Sequence, residues 1–151
     1  MLNYNACRIS EFLDLKKENV HLKEQYFDVV AAKTENGVRK VPIADKLLPF
    51  YEAWLERSPC EYLLCTTEGQ HLDYFNYCDT YWDPLMEEYD MKHTPHDTRH
   101  TCISMMADAG VAPTIQKKIA GHSGAMSLTE RVYTHLDIQT LIDGINMICP
   151  V

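Results

Sequence analysis

The sequence lacks the features of exported and membrane proteins. It contains no run of about 18 apolar residues, the length that a transmembrane helix requires. Its opening stretch, MLNYNACRIS, has no basic region followed by an apolar one and is therefore not a signal peptide. The six cysteines are scattered without a CxxC pair. Together these absences predict a cytoplasmic protein with reduced thiols and no contact with a membrane.

Positive charge is also scarce. The chain has 14 lysines and arginines against 22 aspartates and glutamates, a net charge of −8. Non-specific DNA binding depends on cationic surface, so a purely electrostatic DNA clamp is not expected. A local basic groove is compatible with this balance, because net charge does not fix how the charges are distributed.

The 151 residues correspond to one ordinary domain with a sizeable core, and no repeat, low-complexity tract or linker divides them. In the first half we predict helices from about Cys7 to Lys17, over 45–57 and over 73–89, the last kinked or split at Pro84. We predict strands at Val20–Leu22, 26–32, 38–43 and 62–65, with KTENG as a hairpin loop between the middle two.

The second half is predicted to be helical. Thr94 as N-cap, Pro95 in the first helical position and Asp97 in the first turn predict a helix that ends at Gly110. Further helices are predicted from Pro113 to Gly121, from a capping box of Ser127 and Glu130, and from about Ile138 to Ile148 after Asp137. The pattern indicates one α+β domain, mainly helical, with a small antiparallel sheet.

Two arginines occupy positions that usually carry apolar residues. Arg8 shares a helical stripe with Phe12, and Arg99 shares one with Met106. A buried arginine requires a carboxylate or another anion as its partner. Structural ion pairs, with Glu11 as the partner of Arg8, satisfy this requirement, and so does a bound anion.

The stretch TPHDTRHT (94–101) concentrates ionisable side chains at the start of one helix. His96 and His100 are four residues apart with Asp97 between them, which is similar to the H-E-x-x-H zinc motif. This pattern supports a zinc hydrolase as one hypothesis. Asp97 is equally suited to stabilising the helix N-terminus, and the neighbouring Arg99 is a poor companion for a dication.

The chemistry-bearing residues, in chain order, are Arg8, Lys33, His96, Arg99, His122 and Tyr133. This set can transfer a phosphodiester to a tyrosine. Arginines hold the non-bridging oxygens, histidines and a lysine move protons, and the tyrosine forms the covalent intermediate. Ordinary roles stay open, because a lone tyrosine is commonly a half-buried core residue and a lysine in a hairpin loop is commonly solvated.

Five stretches, in this order, resemble the catalytic domain of the tyrosine recombinases, also called the phage-integrase family. They are CRISEFLDL (7–15), KTENGVRKVPI (33–43), HDTRHTCIS (96–104), IAGHS (119–123) and VYTHLD (132–137). The ordered set is far more specific than any single stretch, and it covers nearly the whole chain. The chain looks most like the integrases of bacterial mobile elements. The resemblance implies a mainly helical α+β domain with a three-stranded antiparallel sheet.

The resemblance also assigns roles to residues. The catalytic group would be Arg8, His96, Arg99 and His122, with Lys33 as general acid on the leaving 5′ oxygen and Tyr133 as nucleophile; Glu11 and His100 would support it. The basic residues Lys33, Arg39, Lys40, Lys117 and Lys118 are candidate DNA contacts, although such residues are usually solvated. No metal or other cofactor is implied, because the arginines supply the charge stabilisation.

The implied substrate is double-stranded DNA at attachment sites, with a homotetramer on DNA for the complete protein. Residues 1–151 are expected to be a single catalytic domain, truncated at its N-terminus and without the DNA-clamping domain. Alone, the chain is expected to be a monomer that binds DNA weakly and whose last helix docks in cis or in trans. The open alternatives are an inactive DNA-binding remnant of the same fold, the zinc hydrolase, and DNA relaxation in the manner of the type IB topoisomerases.

Overall fold

A computed structural model describes residues 1–30, 38–121 and 136–148 of the chain. Within these ranges, helices and a three-stranded antiparallel sheet form the regular structure, which confirms the predicted α+β class. None of the helices in the described ranges is long and apolar enough to cross a membrane.

Helices account for most of the regular structure. In chain order they are α1 (Ile9–Leu13), α2 (Leu48–Arg57), α3 (Tyr74–Tyr77), α4 (Asp83–Glu88), α5 (Pro95–Asp108), α6 (Pro113–Ala120) and α7 (Ile138–Asn146). Short 3₁₀ turns lie at Leu2–Tyr4, Lys17–Asn19 and Asp45–Leu47.

The sheet places one arginine on its buried face. Its strands, in spatial order, are β1 (Val20–His21), β2 (Tyr26–Val29) and β3 (Arg39–Pro42). Phe27 pairs with Val41, and Val29 pairs with Arg39. Because side chains alternate along a strand, these four residues share the face on which Phe27 and Val41 are fully buried. Lys40 lies on the opposite, exposed face.

Three aromatic side chains anchor α1 and α2 to the sheet. Phe12 of α1, Phe27 of β2 and Tyr51 of α2 are buried, with ring centroids 6.1 to 6.4 Å apart. Such contacts stabilise a core beyond the apolar area that they bury. The short helix α1 therefore has a fixed place against the sheet, although it has fewer than two turns.

The first helix begins later than its periodicity predicts. It spans Ile9–Leu13, because the carboxylate of Glu11 accepts a hydrogen bond from the backbone N–H of Arg8 at 2.8 Å and fixes the start there. Arg8 has an extended backbone, with φ −72° and ψ 146°. Arg8 is therefore the N-cap residue, and its predicted place on a helical stripe with Phe12 is wrong.

The strand predicted at 62–65 is also wrong. Tyr62 and Cys65 form isolated β-bridges, with Lys16 and His71 respectively. The backbone N–H of Leu63 donates to the carbonyl of Leu15 at 2.7 Å. These separate hydrogen bonds satisfy backbone groups of the segment without a continuous ladder, so no strand forms.

The helix predicted over 73–89 is interrupted by a π-helical turn, Cys78–Trp82, between α3 and α4. Pro84 lies in the first turn of α4, directly after the π-helical turn, and both features depart from the regular i→i−4 hydrogen bonds of an α-helix. The chain is helical without a gap over 74–88, so the helix is not split at Pro84.

The predicted helix boundaries in the second half are confirmed where they are described. The backbone N–H of Thr94 donates to Asp97 at the start of α5. Gly110 and Gly121 have φ values of 76° and 73° after α5 and α6, the left-handed conformation in which glycine avoids Cβ strain. Asp137 accepts a hydrogen bond from a backbone N–H of α7.

We expect Phe27→Ala to lower the free energy of unfolding by about 3–5 kcal/mol, because it leaves a cavity between α1, α2 and the sheet. The matched control is Phe75→Ala, at a side chain that is 82% exposed. This control should change the free energy by less than about 0.5 kcal/mol. Urea denaturation followed by circular dichroism measures both, and equal effects would contradict the core assignment.

Candidate functional site

Arg8 and Glu11 form the first part of the candidate site. Oε1 of Glu11 lies 2.8 Å from Nη1 of Arg8, in addition to the hydrogen bond that caps α1. The Glu11 side chain is 5% exposed, whereas that of Arg8 is 46% exposed. The predicted ion pair is therefore confirmed, and it holds an accessible guanidinium at the N-terminal end of α1.

Arg39 contacts the same carboxylate. Its Nη1 and Nη2 lie 3.2 and 2.9 Å from the two carboxylate oxygens of Glu11, a two-point contact that fixes the plane of both groups. Its Nε donates to the carbonyl of Ile119 at 2.9 Å, in the last turn of α6, where helix carbonyls lack intrahelical donors. The Arg39 side chain is only 4% exposed, and its nitrogens donate to protein oxygens in this arrangement; its DNA contact stays a prediction.

Arg99 is the third arginine of the group. It lies in the second turn of α5 and is buried. Nη1 donates to the backbone carbonyl of Ala6 at 2.6 Å, while Nη2 has no hydrogen-bond partner among the described residues. A buried donor without a partner carries a desolvation cost. An anion at this position would remove that cost.

Positive charges outnumber negative charges in the cluster of Arg8, Glu11, Arg39 and Arg99. Burial, and then the positive charges of Arg8 and Arg39, lower the pKa of Arg99. Burial alone would raise the pKa of Glu11, but the contacts from Arg39 and Arg8 outweigh it and hold this pKa below its usual value. Arginine stays protonated in proteins, so three positive charges surround one negative charge. A local positive surplus thus exists in a chain of net charge −8.

The backbone before Arg8 is strained where it meets Arg99. Ala6 has a φ of 49°, which costs a residue with a Cβ roughly 1–2 kcal/mol. Its carbonyl is the acceptor for Nη1 of Arg99. The neighbouring Cys7 is buried, and burial, together with the charge of Glu11, raises the pKa of its thiol to about 12. Cys7 is therefore a neutral packing residue beside the cluster.

The two histidines of α5 are exposed and touch one another. The ring centroids of His96 and His100 are 4.8 Å apart, in an edge-to-face arrangement. Asp97 turns to the helix start instead, where the N–H and hydroxyl of Thr94 lie 2.7 and 3.1 Å from its carboxylate and lower its pKa. This confirms its predicted role there. The described residues contain no group of three or more ligand side chains for a metal, so the zinc site is contradicted.

The remaining candidates are partly described. Lys40 is exposed, and its Nζ lies 4.2 Å from the centroid of the Tyr26 ring. At the end of α6, Lys117 is half-buried and Lys118 is exposed. Their DNA contacts stay predictions. Outside the described residues lie Lys33, His122, Ser127, Glu130 and Tyr133.

The fold is that of solved recombinases and integrases. A crystal structure of XerA recombinase matches with a TM-score of 0.71 at 26% identity, over 94% of this chain and 53% of that one. The Tn1549 transposon integrase, solved in complex with circular intermediate DNA, matches with a TM-score of 0.72 at 22% identity, over 92% and 55%. At that identity the second likeness is one of fold.

The sequence comparison defines the family. The profile of the phage integrase family matches residues 1–140, so the chain belongs to this family, as its motifs predict. Tyrosine recombinase XerA of Thermococcus onnurineus is 30% identical over 147 residues, which is 93% of this chain and 51% of that protein. Tyrosine recombinase XerC of Vibrio vulnificus is 26% identical over 155 residues, 94% and 46%. This chain spans about half the length of the curated relatives that it matches.

We expect Glu11→Gln to lower the free energy of unfolding by about 3–5 kcal/mol at neutral pH, because it leaves the buried Arg39 without its anion. The folded-state pKa of Glu11 is depressed, so its contribution is present above the usual value of 4.5 and is lost as the pH falls through the folded-state value. The difference between wild type and variant should therefore shrink in acid.

Chemical denaturation at a series of pH values measures this dependence. Glu24→Gln, at an exposed position between β1 and β2, is the control and should change stability by less than about 0.5 kcal/mol. A difference for Glu11→Gln that grows in acid would contradict the assignment of a depressed pKa.

Proposed function

We propose that this domain cleaves and rejoins double-stranded DNA as the catalytic part of a site-specific recombinase. One observation carries the proposal: Arg8 is accessible and the Nη2 of Arg99 is unpartnered among the described residues, in a cluster with a positive surplus. Two guanidiniums can hold the two non-bridging oxygens of a phosphodiester. Their fixed charges would stabilise the additional negative charge of the transition state.

The proposed covalent step uses the motif residues on both sides of this cluster. The hydroxyl oxygen of Tyr133 attacks the scissile phosphorus while the bond to the 5′ oxygen breaks, which leaves a 3′-phosphotyrosine. Lys33 gives a proton to the departing 5′ oxygen, and a histidine, His96 or His122, takes the proton of the tyrosine. The 5′-hydroxyl of a partner strand reverses the step, so the number of phosphodiester bonds is conserved.

The geometry of α5 supports this assignment for its histidines. His96 precedes Arg99 by three residues, so the two lie on the same side of the helix about one turn apart. His96 is exposed, as a group that must reach a phosphate requires. His100 contacts the His96 ring edge-to-face, which suits a residue that holds His96 in place.

We further propose that residues 1–151 are the catalytic domain of a recombinase whose DNA-clamping part lies elsewhere. The chain spans about half of its curated relatives, and its net charge of −8 is unfavourable for holding DNA by itself. The complete protein would act as a homotetramer on attachment-site DNA and the isolated domain would be a monomer. A solved integrase of this fold is in complex with circular intermediate DNA, which supports DNA as the substrate.

We expect Tyr133→Phe to abolish the covalent protein–DNA adduct, because phenylalanine has no nucleophilic oxygen. The adduct is measured on a denaturing gel, after incubation of the domain at high concentration with a duplex that is nicked next to the scissile phosphate. Tyr89→Phe, at an exposed tyrosine, is the matched control and should retain adduct formation. An adduct that survives in Tyr133→Phe would place the nucleophile elsewhere. Absence of any wild-type adduct would favour the inactive remnant.

We expect the isolated domain to bind duplex DNA with a Kd of about 10⁻⁴–10⁻⁶ M at physiological salt, the range of non-specific binding. The physical reason is the acidic net charge, which repels DNA outside the arginine cluster. Fluorescence anisotropy with a labelled duplex measures the affinity. Nanomolar binding by these residues alone would contradict the need for a separate clamp.

A further inference from the structure

We infer that Arg39 is a positioning residue of the candidate site: its guanidinium sets the place of Arg8, through Glu11, relative to the end of α6 that leads into His122. The inference deepens the recombinase function proposed above and rests on it. It also gives a buried arginine, first considered as a DNA contact, a role that follows from its partners.

Three separate parts of the chain meet at this guanidinium. Arg39 itself belongs to β3, Glu11 belongs to α1, and Ile119 belongs to α6. The contacts to Glu11 measure 2.9 and 3.2 Å, and the contact to Ile119 measures 2.9 Å. A guanidinium presents its donors in one rigid plane, so it can fix both partners at once. An ammonium group at the end of a flexible stem cannot reproduce this geometry.

The end of α6 is shaped to receive Arg39. A Cβ on Gly121 would lie 2.9 Å from both Cζ and Nε of Arg39, closer than real Cβ contacts allow. The bare backbone of Gly121 therefore packs directly against the guanidinium. Arg39 therefore contacts the last described residue before His122, which follows Gly121 in the sequence.

A purely stabilising ion pair does not explain why an arginine occupies position 39. Arg39 lies on the core-facing side of β3 beside Val41, where an apolar side chain would avoid the cost of a buried charge. Its charge also acts against Arg99, whose pKa it helps to lower. What Arg39 adds is a fixed geometry between the carboxylate that holds Arg8 and the helix end that precedes His122.

The test measures single-turnover adduct formation on the nicked duplex by the 151-residue chain. We expect Arg39→Met to form the adduct about 100-fold more slowly at saturating DNA, the penalty typical of a misplaced catalytic group. The DNA concentration for half-saturation should change by less than about threefold, because the donors of Arg39 contact Glu11 and Ile119. Arg39→Lys should be roughly tenfold faster than Arg39→Met, since lysine restores the charge but not the planar set of donors of the guanidinium.

A double-mutant cycle tests whether Arg39 acts through Glu11. If it does, Arg39→Met combined with Glu11→Gln should be no slower than the slower single variant, because the second change removes a partner that is already lost. If the fold-reduction in rate of the double variant equalled the product of the two single reductions, the two residues would act independently. This result would overturn the inference.

Two glycines provide a second test that leaves Arg39 in place. Gly121 and Gly110 have φ values of 73° and 76° after successive helices, but a Cβ on Gly110 would meet nothing within 4 Å. Gly121→Ala and Gly110→Ala therefore impose the same backbone strain, and only the first displaces Arg39. We expect Gly121→Ala to slow adduct formation by at least roughly tenfold relative to Gly110→Ala, with Gly110→Ala close to wild type.

The outcomes separate the inference from the function on which it rests. A wild-type adduct that depends on Tyr133, together with unchanged rates in Arg39→Met and Gly121→Ala, would overturn the positioning role alone. If Arg39→Met raised the DNA concentration for half-saturation and left the saturating rate unchanged, Arg39 would have a DNA-contact role. This result would also overturn the positioning role. No Tyr133-dependent adduct in wild type would overturn the proposed function, and the inference with it. If Arg39→Met fails to fold, the glycine pair decides.

Discussion

The carboxylate of Glu11 is the interaction on which the arrangement of this site depends. It is nearly buried, yet two arginines and one backbone N–H keep it ionised. Such partners offset the desolvation cost of a buried charge. Through this one group, the start of α1, the strand β3 and the end of α6 have fixed positions relative to one another. The first helix has too few turns to be stable alone, so its place comes from this ion pair and from the aromatic core.

The local surplus of positive charge in the arginine cluster is compatible with the acidic net charge of the chain. Net charge governs encounters at long range and is screened by salt, whereas a bound phosphate interacts with the groups that touch it. Three guanidiniums and one carboxylate make that local environment cationic. The carbonyl of the strained residue Ala6 helps by accepting one N–H of Arg99 and leaving the other without a partner among the described residues. Strain of this kind is common at functional sites.

The family fold brings together motifs that are far apart in the chain. Arg39 and the carbonyl that it contacts are 80 residues apart, and Arg99 and Ala6 are 93 residues apart. Each of these contacts joins a residue of the first half to a helix of the second half. The likeness to solved recombinases and integrases extends over more than nine-tenths of the chain and about half of theirs. The shared fold therefore corresponds to one part of these longer proteins.

The sequence by itself determined the family, the α+β class and the ends of α5, α6 and α7. Caps and ordered motifs are local signals, and Thr94, Gly121 and Asp137 act on backbone groups within a few residues. It also identified Glu11 as the partner of Arg8, because one helical turn separates them.

Only the tertiary structure decided what Arg39 does. The alternation in VRKVPI does indicate that Arg39 and Val41 share one face of the strand. No local pattern, however, predicts a partner on α1 and another on α6. The irregular segment at 62–65 is a second example. Its β-bridges depend on which segments of the chain lie opposite it in the fold. Charge pairing and strand pairing across long stretches of sequence are set by the packing of the whole domain, and a pattern within a few residues does not contain that information.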